Sequence, residues 1–148
     1  MLHGGDIYGN TVKIDFSVNV NPLGTPDCVN RIIIDSIKYL DAYPDYEVKK
    51  LREKLSEKIG IDSKYIICGS GASELFMAVV HAVKPVKAVV AAPSFSGYKL
   101  ALDAISAEIV NYYLKEENDF KLDDGIFNLI DSEKSIDMIF LANPNNPV

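Results

Sequence analysis

Beyond Gly60, short apolar runs alternate with helical segments, and this alternation constrains the fold more than any other feature of the chain. Strands are predicted over residues 65–68, 86–91, 108–114 and 136–142. Helices are predicted between them, over 72–83, around 97–105 and near 123–130. Near-continuous apolar strands alternating with helices are typical of a parallel sheet that is covered on both faces. The sequence therefore predicts an α/β fold, with three α/β/α layers around a mainly parallel sheet.

The N-terminal part has a different pattern. Residues 12–20 alternate loosely and end in a run of turn-forming residues over 21–26, which predicts an extended arm followed by a loop. Asp27 and Asp45 are candidate N-caps of two helices, the second of which carries an apolar stripe and ends at Gly60. We expect an N-terminal arm and first helix over residues 1–44, and a sheet-containing domain over 45–148.

Composition limits the classes of function. The 148 residues are 48% hydrophobic and carry a formal net charge of −6, which disfavours nucleic acid or an anionic membrane as the main partner. The two cysteines lack metal-ligand spacing, so no metal site is expected. The sequence shows neither a signal peptide nor an apolar run of membrane-spanning length. We therefore expect a cytoplasmic protein.

A glycine-flanked turn, Gly69-Ser70-Gly71-Ala72-Ser73-Glu74, stands between a predicted strand and a predicted helix. Such a turn presents unpaired backbone N–H groups and the positive end of the helix dipole, an arrangement that binds phosphate. The alternative is that the small residues make only a tight connection. Segments 93–98 and 143–147 also directly follow predicted strands, at the sheet edge where ligands of parallel sheets bind.

Six segments, in this order, resemble one family. They are His3-Gly4-Gly5 with Tyr8, residues 15–24 (DFSVNVNPLG), Tyr43-Pro44-Asp45, residues 69–74, residues 92–98 (APSFSGY) and residues 143–147 (NPNNP). The sequence resembles the first part of fold-type I pyridoxal 5'-phosphate (PLP) enzymes of the class I/II aminotransferases. The resemblance is closest to the histidinol-phosphate aminotransferase and L-threonine-O-3-phosphate decarboxylase branch. Residues 45–148 would then be the first half of the PLP-binding large domain.

The resemblance implies a set of site residues. Gly71, Ala72 and Ser73 would hold the cofactor phosphate, Phe95 would stack on the pyridine ring, and Asn146 would hydrogen-bond the phenolic oxygen. Tyr43 would reach the neighbouring subunit's cofactor in a homodimer. His3, Asn21 and Gly24 would face a small amino-acid substrate. Without the family, Phe95 is an ordinary core aromatic, Tyr43 a residue at a helix break and residues 143–147 a loop without a ligand.

The resemblance also predicts what these residues lack. In the family, the Schiff-base lysine, the aspartate that pairs with the pyridine nitrogen and the substrate-binding arginine come after the Asn-Pro loop. No lysine is expected here in the Ser-x-x-Lys context of the Schiff-base residue, and Val148 departs from the usual Thr-Gly. We expect an inactive N-terminal fragment of a transaminase or decarboxylase for a phosphorylated amino acid or amine, in amino-acid metabolism or cobalamin biosynthesis. The alternative is a non-catalytic Rossmann-like module that binds a phosphate or nucleotide.

Overall fold

The computed structural model describes residues 5, 8–9 and 11–148. These residues divide into two compact units, the first ending at Glu47 and the second spanning Val48–Val148. In the first unit, residues 11–26 form bends and turns without a strand, and helix α1 spans Asp27–Ser36. Asp27 lies inside the first turn of α1 and Pro26 is the N-cap, so the predicted capping role of Asp27 was wrong. The carboxylate still stands at the positive end of the helix dipole.

The second unit begins with helix α2, Lys49–Ile59. Val48 precedes it in a left-handed conformation, and the Asp45 carboxylate accepts a hydrogen bond from the Glu47 N–H at 3.1 Å. Asp45 therefore closes a local turn and does not cap α2 as predicted. Gly60, at φ 70°, ends the helix as predicted, because a left-handed residue at this position stops the helical hydrogen-bond pattern.

The second unit contains a three-stranded parallel sheet. Its strands are β1 (Lys87–Ala92), β2 (Glu108–Tyr113) and β3 (Met138–Phe140), in the order β2-β1-β3. In the register, Ala88 of the central strand pairs with Ile109 on one side and Met138 on the other. Four consecutive β1 residues are buried, as expected for a strand with neighbours on both edges and helices on both faces. The predicted parallel α/β sheet is confirmed.

Helices cover both faces of the sheet. Helices α3 (Ala72–Val83) and α4 (Ser96–Asp103) pack on the face that carries Ala88 and Val90, and Leu102 is fully buried there. Val89 points to the opposite face, as strand alternation requires. On that face the Tyr112 hydroxyl of β2 bonds the Asp123 carboxylate, just before helix α5 (Gly125–Ser132). The three-layer arrangement thus follows from one strand with apolar residues on both sides.

The strand predicted over 65–68 does not form. Ser63–Tyr65 is a 3-10 turn, and Ile66 is extended but lies outside the three-stranded sheet. Ile67 is 75% exposed. A strand exists only when its backbone groups pair with a neighbour, and no described strand offers that pairing. Among the helices of the described residues, none has the length and apolar character needed to cross a bilayer.

Candidate functional site

The loops that follow β1 and β3 meet at one edge of the sheet, because parallel strands end on the same side. The Asn145 side chain joins them directly, since its Nδ2 donates a hydrogen bond of 2.8 Å to the Pro93 carbonyl oxygen. Pro93 stands immediately after β1 and Asn145 five residues after β3. The predicted loop segments 93–98 and 143–147 are therefore neighbours in space.

The 69–73 turn has a conformation that only glycine adopts easily. Gly71 lies at φ 86° and ψ 167°, and a Cβ atom added to it would meet no atom within 4 Å. Helix α3 begins at the next residue, so the first N–H groups of the helix have no acceptor within it. Unpaired amides at a positive helix end, next to the open space beside Gly71, suit a phosphate.

Glu74 stabilises this turn from inside the helix. Its carboxylate accepts a hydrogen bond from the Ser70 backbone N–H, and its Oε2 would lie 2.9 Å from a Cβ atom at Gly69. A side chain at position 69 would therefore have to displace the Glu74 carboxylate from this position. This role of Glu74 was not predicted from the sequence, although an acidic residue in the first turn of a helix is a recognised stabilising signal.

Phe95 packs in an aromatic cluster formed by Phe76, Phe95, Tyr98 and Phe140. The Phe95 ring centroid lies 6.1 Å from that of Phe76 on α3 and 5.8 Å from that of Tyr98 on α4. A Cβ atom at Gly97 would clash with the Phe95 ring, so the ring lies against the first turn of α4. Phe76 stands three residues after Ser73, on the same side of α3. The cluster thus places Phe95 beside Phe76, which is one helical turn from Ser73.

The two neighbouring asparagines of the last loop differ in environment. Asn146, the residue expected to bond the cofactor, is exposed, whereas Asn145 is half-buried. The Asn145 Oδ1 atom is buried and has no hydrogen-bond partner among the residues that the structure describes. Sequence reasoning did not single out Asn145, because its bond to Pro93 links positions far apart in the chain.

The expected substrate-side residues lie in the first unit. The Asn21 side chain closes its own turn, with Nδ2 donating to the Gly24 carbonyl at 2.8 Å and Oδ1 accepting from the Leu23 N–H at 3.0 Å. Asn21 and Gly24 are therefore brought together, and Gly24 takes a positive φ of 73°. Tyr43 is 89% exposed. His3 lies outside the described residues, and the substrate and cofactor roles of all four residues stay predictions.

The Ser-x-x-Lys spacing does occur once, from Ser96 to Lys99, so the expectation that no lysine has this spacing was wrong. The Lys99 side chain is 64% exposed, and its Nζ atom forms an ion pair of 2.6 Å with Asp103 one turn along α4. This geometry is that of a surface helix pair. The spacing alone does not mark a lysine that binds a cofactor.

One titratable pair lies near the end of β2. The Tyr112 hydroxyl donates to the Asp123 carboxylate, and this bond, together with the Gly125 N–H, holds the pKa of Asp123 below its usual value. The same bond raises the pKa of Tyr112, because losing the proton would place two negative charges side by side. The pair fastens β2 to the start of α5.

The described residues fit a ligand that carries a phosphate and an aromatic ring. The 69–73 turn offers amides and open space for the phosphate, and Phe95 offers an aromatic side chain nearby. The unpaired Asn145 oxygen adds a buried acceptor at the same edge of the sheet. PLP has these two features, a phosphate and an electron-poor ring.

Comparison with known proteins agrees with this arrangement. The sequence model of the family described as aminotransferase class I and II matches residues 11–148. The threonine-phosphate decarboxylase of Salmonella typhimurium is 34% identical over 98% of the chain and 42% of its own length. The histidinol-phosphate aminotransferase of Pelagibacter ubique is 32% identical, over 93% of the chain and 37% of its own length.

A solved structure shows the same fold. The crystal structure of histidinol-phosphate aminotransferase from Sinorhizobium meliloti in complex with pyridoxal-5'-phosphate matches 88% of the chain and 35% of its own, with a TM-score of 0.78 and 20% identity. The chain spans less than half the length of the curated relatives that it matches. Because the family's sequence model matches nearly all of its residues, the chain belongs to the class I and II aminotransferase family.

Proposed function

We propose that these residues belong to a PLP-dependent transaminase or decarboxylase whose substrate is a phosphorylated amino acid or amine. The observation that carries the proposal is the 69–73 turn, in which Gly71 has open space beside its Cα atom and the first amides of α3 have no acceptor within the helix. The relatives support the substrate class, since one is named for threonine phosphate and another for histidinol phosphate. Both compounds join an amine-bearing carbon to a phosphate ester.

Each residue would act on a different part of the cofactor. The first backbone amides of α3, beginning at Ala72, and the Ser73 hydroxyl would hold the phosphate, while Gly71, whose own N–H donates to the Gly69 carbonyl oxygen at 2.9 Å, would shape the turn around it. Phe95 would cover one face of the ring and exclude water from it. Asn146 would donate a hydrogen bond to the phenolic oxygen. When bound, the cofactor supplies an electron-withdrawing ring that weakens the bonds at the amine-bearing carbon of the substrate.

Substrate binding and assembly would use the first unit. We propose that His3, Asn21 and Gly24 face the substrate and that Tyr43 serves the cofactor site of the other subunit in a homodimer. We also expect the protein in the cytoplasm. The 148 residues alone are proposed to be inactive, because none of their lysines stands at the position that the resemblance gives to the Schiff-base residue.

The test uses the whole protein, expressed from its own gene. Purified protein should bind PLP and should then show an absorbance band at longer wavelength than the bands of the protein without PLP. It should also either release carbon dioxide from threonine phosphate or transfer the amine of histidinol phosphate to 2-oxoglutarate. Absence of PLP binding would refute the proposal. Binding of inorganic phosphate without binding of PLP would favour the non-catalytic phosphate-binding module instead.

A matched pair of serine variants tests the phosphate contact. Ser73→Ala removes a hydroxyl from the first turn of α3, whereas Ser132→Ala removes one that bonds the Leu129 carbonyl at 2.9 Å within α5. A hydrogen bond to a charged group contributes about 1.5–3 kcal/mol, so Ser73→Ala should raise the Kd for PLP roughly 10- to 100-fold. Ser132→Ala should leave it unchanged. An equal effect of both variants would argue against a phosphate at the 69–73 turn.

A further inference from the structure

Asn145 connects the two loops from which the proposed cofactor contacts come. Its Nδ2 atom donates to the Pro93 carbonyl oxygen at 2.8 Å, across 52 positions of sequence. Pro93 stands two residues before Phe95, and Asn146 follows Asn145 directly. The bond therefore fixes the backbone on which Phe95 sits relative to the backbone that carries Asn146.

The burial of Asn145 indicates that this bond matters. Its Oδ1 atom is buried without a partner among the described residues, and a buried unpaired acceptor costs free energy. An apolar side chain of similar size would avoid that cost but could not donate to Pro93. The contribution of the Asn145 amide therefore comes from its donor, and the neighbouring Asn146 is exposed.

We propose that Asn145 is a positioning residue, which holds Asn146 and Phe95 at the separation that the cofactor ring requires. This inference rests on the proposed function, since it assigns Asn145 a task in the same site. A ring held by one contact on its face and another at its edge binds well only when both groups stay in place. Displacements near 1 Å are sufficient to impair such sites.

The other end of the sheet, where β1 and β3 begin, provides the matched control. There the Asp137 carboxylate accepts hydrogen bonds from the Val86 N–H at 2.9 Å and the Lys87 N–H at 3.3 Å, across 51 and 50 positions. Asp137 thus ties the start of β3 to the start of β1, as Asn145 ties the segments beyond their ends. A purely structural role predicts similar consequences for the loss of either side chain.

The experiment compares Asn145→Ala, the nearly isosteric Asn145→Asp and Asp137→Ala in the whole protein. The readouts are amide hydrogen exchange in the free protein, the Kd for PLP, and the pH midpoint of the bound cofactor's absorbance change. Both Asn145 variants should speed exchange over residues 94–96, which follow Pro93. They should also raise the Kd about tenfold and shift the pH midpoint, because Asn146 is displaced from the phenolic oxygen. Asp137→Ala should speed exchange near residues 86–88 and leave the pH midpoint unchanged.

The outcomes separate this inference from the proposed function. Wild-type exchange over residues 94–96 in both Asn145 variants would overturn the inference, whether or not the protein binds PLP. An equal shift of the pH midpoint in Asp137→Ala would also overturn the inference, because the effect of Asn145 would then be that of any structural contact in the sheet. Failure of the unaltered protein to bind PLP would instead refute the proposed function. Should Asn145→Ala not fold, Asn145→Asp carries the same comparison.

Discussion

Replacing Gly71 by alanine tests the phosphate turn most directly. The residue lies at φ 86° and ψ 167°, a region in which a side chain clashes with its own backbone, and residues held in such regions cost about 1–3 kcal/mol. Nothing within 4 Å would contact the new methyl group. The entire loss of unfolding free energy would therefore come from backbone strain and none from crowding by neighbouring atoms.

Gly60 provides the control for this substitution. It too has a positive φ, 70° with ψ 23°, and an added Cβ atom would meet nothing within 4 Å. Its conformation is the ordinary left-handed one, which alanine adopts at a cost of about 1–2 kcal/mol. Gly71→Ala should therefore destabilise the protein at least as much as Gly60→Ala, and the excess measures how restrictive the turn is.

The assay combines urea unfolding with titration of PLP. Gly71→Ala should raise the Kd for PLP at least about tenfold, because the turn either stays strained or rotates its amides away from the phosphate. Gly60→Ala, at the end of α2, should bind PLP as the unaltered protein does. Wild-type stability together with wild-type PLP affinity in Gly71→Ala would refute both the strain argument and the placement of the phosphate.

Two further predictions concern the second unit. Leu102→Ala should lower the unfolding free energy by about 2–5 kcal/mol, because the Leu102 side chain is fully buried. The Leu100 side chain on the same helix is 50% exposed, so Leu100→Ala should lower it by about 1 kcal/mol. Equal losses in thermal unfolding would contradict the assigned core. Tyr112→Phe should be less stable than the unaltered protein at neutral pH. The difference should begin to shrink as the pH falls below about 4, and it should continue to shrink through the lowered pKa of Asp123. The reason is that a lowered pKa of Asp123 stabilises the fold only while the carboxylate is ionised, so a difference that stays constant between pH 3 and 8 in urea unfolding would disprove the bond's role.

Sequence signals predicted best where both ends of an element are marked locally. Helix α3 was predicted over 72–83 and is found at Ala72–Val83. Gly71 precedes it in a non-helical conformation, and Lys84, which is left-handed and stands before Pro85, ends it. Gly60 marks the end of α2 in the same way. Such signals act within a few residues, so the sequence alone contains them.

Features that depend on distant residues could not be predicted in this way. Residues 65–68 have the composition of a strand, yet pairing depends on a neighbour whose position no local pattern specifies. The bond from Asn145 to Pro93 is likewise a product of the sheet order. For Phe95, the structure shows packing against Phe76 and Tyr98, which is the ordinary aromatic role, and stacking on a cofactor stays a prediction.

The central position of β1 also has a consequence for protein synthesis. Ala88 pairs with Ile109 and with Met138, which the ribosome adds 50 residues after Ala88. At translation rates of about 5–20 residues per second, one edge of β1 stays unpaired for roughly 3–10 s, until β3 has been synthesised. During that time an apolar strand exposes unpaired N–H and C=O groups, the template on which nascent chains aggregate. Rapid overproduction multiplies the number of chains at this stage, so slower expression should increase the yield of folded protein.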